Sequence, residues 1–251
     1  MKKVLLFGVL SLMFLINACG PDEPKSTTTT LNLNFQGVYD NDTDFAFFKY
    51  YDYQNGDSVF INVARFYISD ITLIRGSDET KIKDISVLDF SNNHAIPGDN
   101  PETIVIENIP AGQYTGIRFG IGVDSVLNHT IPADYEAGHP LANASEYWDW
   151  RETYIFGKFE GRLKKGDGTT ISYAYHPGTN LLYRIPNLSK IFTLEADIAA
   201  DLNFKVNFGQ LFNQGNDKID IKTTPISHTG DADLWLVTQL MDNLESAFTV
   251  E

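Results

Sequence analysis

The chain has 251 residues, 43% hydrophobic and 13% aromatic, enough apolar content for a sizeable core and too much for a disordered protein. Its 19 Lys and Arg stand against 33 Asp and Glu, a formal charge of −14, and so acidic a surface repels phosphate backbones. No nucleic-acid partner is expected.

The chain opens MKKVLLFGVLSLMFLINACG, with Lys2 and Lys3 before an apolar run from Val4 to Ile16 and the small Ala18 ahead of Cys19. This is the order of a secretory signal, and the run is too short to span a bilayer as a helix. Ile16-Asn17-Ala18-Cys19 resembles a bacterial lipobox, which implies cleavage before Cys19 and lipidation of its thiol. Residues 1–18 are thus read as signal peptide, 19–30 as a lipidated tether and 31–251 as the folded domain. An unlipidated secretory signal is the alternative. Gly20 to Thr30 is polar with two prolines and has nothing to bury. Asp22-Glu23 is similar to the surface-export signal of Bacteroidetes lipoproteins. The expected place is the envelope of a Gram-negative bacterium, on the outer membrane, facing the periplasm or the outside. Cys19 is the only cysteine, so the domain has neither a disulfide nor a thiolate ligand.

From Leu31 a period of two dominates: Leu31, Leu33 and Phe35 alternate with polar residues. Val59 to Ile74, Ile82 to Leu88 and Thr103 to Ile109 continue the signal, followed by Tyr114 to Val123, Thr153 to Phe159, Thr170 to Tyr175, Ile191 to Ile198 and Phe204 to Phe208. Turn residues such as Pro110-Ala111-Gly112 and Gly166-Asp167-Gly168 separate them. About nine short strands with little helix between them predict an all-β protein, an antiparallel β-sandwich of Greek-key, immunoglobulin-like type. Leu234, Val237, Leu240, Met241, Leu244 and Phe248 then fall at spacings of three and four, predicting one C-terminal α-helix within Asp231 to Ala247, with Asp231 or Asp233 near its N-terminus as cap.

The motifs of common enzyme mechanisms are absent: no Gly-rich phosphate loop, no G-x-S-x-G, no H-E-x-x-H and no C-x-x-C. No enzyme is expected. Of the five histidines, His94, His129, His139, His176 and His228, three sit in loops beside small or turn residues: Asn128-His129-Thr130, His176-Pro177-Gly178 and Ser227-His228-Thr229-Gly230. Loop imidazoles suit ligation, and solvated or hydrogen-bonded rings are the plainer reading. In Tyr147 to Phe156, two-residue alternation puts Trp148, Trp150, Tyr154 and Phe156 on one face of an extended strand, with two indoles side by side. Such a stripe in a sandwich is ordinarily core. Asp40-Asn41-Asp42-Thr43-Asp44 opens like a calcium loop, but Phe45 and Tyr51 stand where an EF-hand needs Gly and Glu. A weaker calcium turn and a solvated acidic loop remain.

Several segments together resemble the MbnP-like copper-binding family. They are Arg65-Phe66-Tyr67-Ile68-Ser69-Asp70-Ile71; Phe119-Gly120-Ile121-Gly122-Val123 followed by Asn128-His129; and Gly138-His139-Pro140-Leu141. After these come Tyr147-Trp148-Asp149-Trp150 with Tyr154 and Glu160-Gly161; His176-Pro177-Gly178; and His228 ahead of Asp242-Asn243-Leu244 and Ala247-Phe248. The resemblance spans Leu31 to Glu251. It implies a β-sandwich that binds copper through histidines, with His129, His176 and His228 as ligand candidates. In the family's studied branch a dihaem cytochrome c peroxidase-like partner oxidises a tryptophan to kynurenine, which implies Trp148 or Trp150 here. Glu146 stands where the family usually has Met.

With Cys19 lipidated and Met241 in the helix stripe, no sulfur cluster is available, so any ion rests on imidazole, and such nitrogen sites favour copper, with zinc next. The expected function is a lipid-anchored copper-binding protein. The alternative is a glycan- or protein-binding sandwich in which the indoles form a stacking platform, and a purely structural envelope domain is the third reading. The position of the indoles discriminates: buried beside His176 they favour metal, and exposed far from every histidine they favour a glycan or a protein.

Overall fold

A computed structural model describes residues 27–40, 45–47, 49–91, 101–214 and 217–251. The expected signal, Cys19, most of the tether, His94 and residues 41–44 of the acidic loop lie outside them.

The strands in chain order are β1 (Thr28–Val38), β2 (Tyr50–Asp52), β3 (Ser58–Arg75), β4 (Asp78–Asp89), β5 (Pro101–Pro110), β6 (Gly112–Tyr114), β7 (Gly116–Ile121), β8 (Tyr147–Trp148), β9 (Thr153–Tyr154) and β10 (Gly157–Lys164). They continue as β11 (Thr170–Tyr175), β12 (Phe192–Leu194), β13 (Ala200–Asn207), β14 (Asn213–Gln214), β15 (Asp217–Lys218), β16 (Ile226–Ser227) and β17 (Phe248–Val250), with helix α1 (Leu234–Ser246) before the last. One sheet runs β17-β13-β1-β5, and the larger runs β16-β11-β10-β3-β2 with β4 and β7 also paired to β3. The chain is an all-β sandwich with one helix near its C-terminus.

Alternation in β1 is what builds the first sheet: Leu31, Leu33 and Phe35 are fully buried, while Asn32 and Asn34 face out and donate to Asp201 and Asn203 on β13. The two layers meet through rings set edge to face. Phe35 meets Phe119 at 5.7 Å and Phe66 meets Phe248 at 6.1 Å, each buried ring stabilising by about 1.5–3 kcal/mol. The near-continuous apolar run of β3 suits the central strand of the larger sheet, where it pairs with β10, β2, β4 and β7 in turn.

Four features depart from the sequence pattern. Two strand pairs, β1 with β13 and β11 with β16, are parallel, and the second of these builds the site described below. Of Ile191 to Ile198 only Phe192–Leu194 is strand, because its flanking Ile191 and Ile198 have nothing to cover them and are exposed. Thr153 to Phe159 is divided between β9 and the start of β10. Phe248 lies not on the helix stripe but in β17, beyond the helix end at Ser246, paired to Val206.

The stripe itself holds, with Val237, Leu240, Met241 and Leu244 buried. Asp233 occupies the N-cap position, yet its side chain makes no capping bond. Among the described residues no helix is long and apolar enough to cross a membrane.

Candidate metal centre

β11 and β16 run parallel with Ala174 opposite Ile226 and Tyr175 opposite Ser227. The next pair in that register is His176 and His228. Registered residues on parallel strands share a face at roughly the 4.8 Å strand spacing, and the two imidazoles lie 4.7 Å apart between centroids, 11° from parallel. Backbone bonds fix the alignment: His176 N–H donates to the Ser227 carbonyl at 2.8 Å. The Thr229 hydroxyl donates to the His176 carbonyl at 2.8 Å and accepts from Gly178 N–H at 3.0 Å. Thr229 is buried and adopts a left-handed backbone, φ 60°.

His176 is half-buried, whereas His228 is exposed. Nε2 of His176 lies 2.8 Å from Glu160 Oε1. A carboxylate accepts only, so this nitrogen carries the proton and Nδ1 keeps its lone pair. Burial lowers the His176 pKa, and Glu160 partly opposes the shift. At neutral pH the ring is therefore an uncharged donor, with a carboxylate fixing its tautomer as at many metal-bound histidines.

The aromatic segment is a hairpin and not a continuous strand. β8 and β9 pair through Tyr147 with Tyr154 and Trp148 with Thr153, and Arg151 N–H closes the turn on the Trp148 carbonyl. Trp148 is half-buried beside His228, ring centroids 6.4 Å apart. Gly178 makes room for it, since a Cβ there would meet Trp148 Cζ3 at 2.7 Å.

Trp150 sits at the turn, 68% exposed, with the Arg151 guanidinium 4.5 Å from its ring centre. The core placement expected for Trp150 is thus wrong: the turn lifts it off the face that Tyr154 and Phe156 bury. The indoles do stand side by side, at 5.9 Å and tilted by 41°, so one lies beside an imidazole and the other in solvent.

His129 stands apart from the pair. It is exposed, and its ring turns back to the Ser125 carbonyl. Its neighbour Asn128 does the structural work, buried with its amide donating to Thr153 Oγ1 and Asn180 Oδ1 and accepting from Tyr154 N–H. His139 stacks on Tyr135 and accepts from Leu141 N–H. Glu146 points away from the site, buried between Arg65 at 3.1 Å and Lys158 at 2.9 Å. Among the described residues, no three or more His, Cys, Asp or Glu side chains gather as a metal-binding group. What the fold does assemble is two imidazoles, an orienting carboxylate and an indole. Sequence reasoning gave no role to Glu160, Thr229 or Gly178, whose partners lie across the sheet.

The family model described as MbnP matches residues 28–229. Among solved structures the chain is similar to MbnP from Methylosinus trichosporium, with a TM-score of 0.52 and 16% identity over 81% of this chain and 82% of that one. At that identity the likeness speaks for the fold. No curated protein matches the chain.

Proposed function

Because this chain belongs to the MbnP family, we propose that it is a non-enzymatic copper-binding protein whose ion is held by His176 and His228. The observation that carries the reading is the in-register imidazole pair at 4.7 Å, with Glu160 accepting a hydrogen bond from Nε2–H of one ring. The donor chemistry fits copper. Among the described residues the sulfur is that of Met241, fully buried on the helix stripe, which leaves imidazole nitrogen, and among divalent first-row ions such nitrogen sites favour copper. His129 is not assigned a ligand role in this reading.

Of the two indoles we assign Trp148 to the modification that the family resemblance implies, because it neighbours His228. Kynurenine carries a ketone and an aniline nitrogen, either of which would give the imidazole pair a third donor. Exposed Trp150 is the face a dihaem cytochrome c peroxidase-like partner would meet first. A two-indole stacking platform for glycans is disfavoured by the 41° tilt between the rings, since a flat ligand needs them coplanar. The leader and Cys19 support a lipid anchor on the outer membrane, and partition of the native protein into the aqueous phase of a detergent separation would contradict it.

Electron paramagnetic resonance of the Cu(II)-loaded protein tests the ligand set. Nitrogen superhyperfine structure from two imidazoles should lose one nitrogen in each of His176→Ala and His228→Ala, and spectra unchanged in both variants would reject the assignment.

A further inference from the structure

The aromatic hairpin holds its two indoles in unlike settings. Trp150 lies in solvent, and Trp148 is half-buried beside His228, yet their ring centroids are 5.9 Å apart, within the range of ring-to-ring contact. Electron transfer slows exponentially with distance. An oxidant that stays outside the protein therefore meets Trp150 first, and an electron from Trp148 then has only that short gap to cross. Trp148 is also where such a transfer stops. Among the described residues its ring meets Trp150 and the His228 imidazole, and imidazole gives up an electron less readily than indole. Tyr147 and Tyr154 pack on each other instead. The third tryptophan, Trp235, is exposed on α1, outside the hairpin.

Direction comes from Arg151. Its guanidinium lies 4.5 Å from the Trp150 ring centre, and its Nε is buried with no hydrogen-bond partner, so the ring face is what this part of the cation rests on. A cation is drawn to the negative face of a neutral ring. Once that ring has lost an electron, two positive charges face each other and the same contact repels. Among the described residues Trp150 is the indole that carries a stacked cation. Trp148 has none and, being half-buried, keeps part of its hydration. A positive hole is thus less stable on the outer indole than on the inner one, and it moves inward.

We propose that Trp150 is the entry point of a one-electron relay to Trp148 and that Arg151 gives the relay its direction, an inference whose use to the cell rests on Trp148 being the modified indole. An external metal-complex oxidant of high potential, such as an oxidised haem, takes one electron from the Trp150 indole and is itself reduced by one. Trp148 then passes an electron to Trp150, which is restored, and the radical cation rests on Trp148. No bond forms or breaks in the hop.

Photogenerated tris(bipyridine)ruthenium(III), with a cobalt(III) ammine as the terminal electron acceptor, tests the relay on the metal-free protein. The tryptophan radical gives its indole proton to water and adds dissolved O2, so oxygen adducts located by peptide mass spectrometry record where the hole rests, with the lone Trp235 as internal reference. In wild type, adducts at Trp148 should at least equal those at the more exposed Trp235. Trp150→Phe keeps the ring's cover over Trp148 but accepts no hole, and should lower the Trp148-to-Trp235 ratio about ten-fold. Arg151→Gln should raise adducts at Trp150 relative to Trp148 about ten-fold, while Arg151→Lys, which keeps the charge, should stay close to wild type. An unchanged Trp148-to-Trp235 ratio in Trp150→Phe would overturn the relay, and so would scarce adducts at Trp148 in wild type. An Arg151→Gln ratio equal to wild type would overturn its direction. Failure of the underlying reading looks different: unmodified Trp148 in protein from the native cell would remove that assignment and leave these photochemical ratios as they are.

Discussion

Glu160 on β10 holds Nε2 of His176 at 2.8 Å, so the ring that would ligate an ion is oriented by a carboxylate two strands away from the other ring. Glu160→Gln keeps the shape but not the charge, and its amide can present a donor to that nitrogen. Copper affinity should fall by about ten- to a hundred-fold, as for other partners of ligating histidines, with the fold intact. Competitive titration against a chromophoric chelator measures it, and an affinity equal to wild type would separate Glu160 from the site.

Acid should weaken the metal-free domain through the same histidine. Burial holds the folded His176 pKa below its ordinary 6.5, so below that value the unfolded chain binds the proton more readily than the folded one. The stability contribution is complete above about pH 6.5 and is lost as pH falls beneath it. Urea unfolding at pH 7.5 and 5.5 should show a larger loss for wild type than for His176→Ala, and identical losses would contradict the account.

Two aromatic residues of one segment should answer mutation differently. Trp150 is 68% exposed, whereas Phe156 is fully buried. Trp150→Ala should cost less than about 1 kcal/mol, and Phe156→Ala about 3–5 kcal/mol, by chemical denaturation. A large loss for Trp150→Ala would return that indole to the core.

Asn128 should matter to stability more than its histidine neighbour. Replacing it with Ala strips partners from the buried Thr153 hydroxyl and Tyr154 N–H, and unsatisfied buried groups cost about 1–3 kcal/mol each. A loss of about 3 kcal/mol is expected for Asn128→Ala and almost none for His129→Ala, read from urea midpoints.

Local pattern carried most of the fold. Leu31, Leu33 and Phe35 alternate because one face of β1 is buried, and the spacing of Val237, Leu240, Met241 and Leu244 is helical because one stripe packs inward. What pattern does not carry is partner choice. Nothing in Tyr175-His176 or Ser227-His228 states that two segments some fifty residues apart pair in parallel, yet that register is what stacks the imidazoles. Alternation also misread the indoles, because it cannot see the turn between Trp148 and Thr153 that sends Trp150 outward. Loop placement drew attention to His129 as readily as to His176, since sequence shows neither the Ser125 carbonyl that takes one ring nor the Glu160 carboxylate that takes the other.

Copper titration of His176→Ala/His228→Ala beside His129→Ala tests the central claim most directly. The double variant should lose the tight site at a stability cost on the order of 1 kcal/mol, while His129→Ala binds as wild type. Undiminished binding by the double variant, or loss of the site in His129→Ala alone, would contradict the assignment.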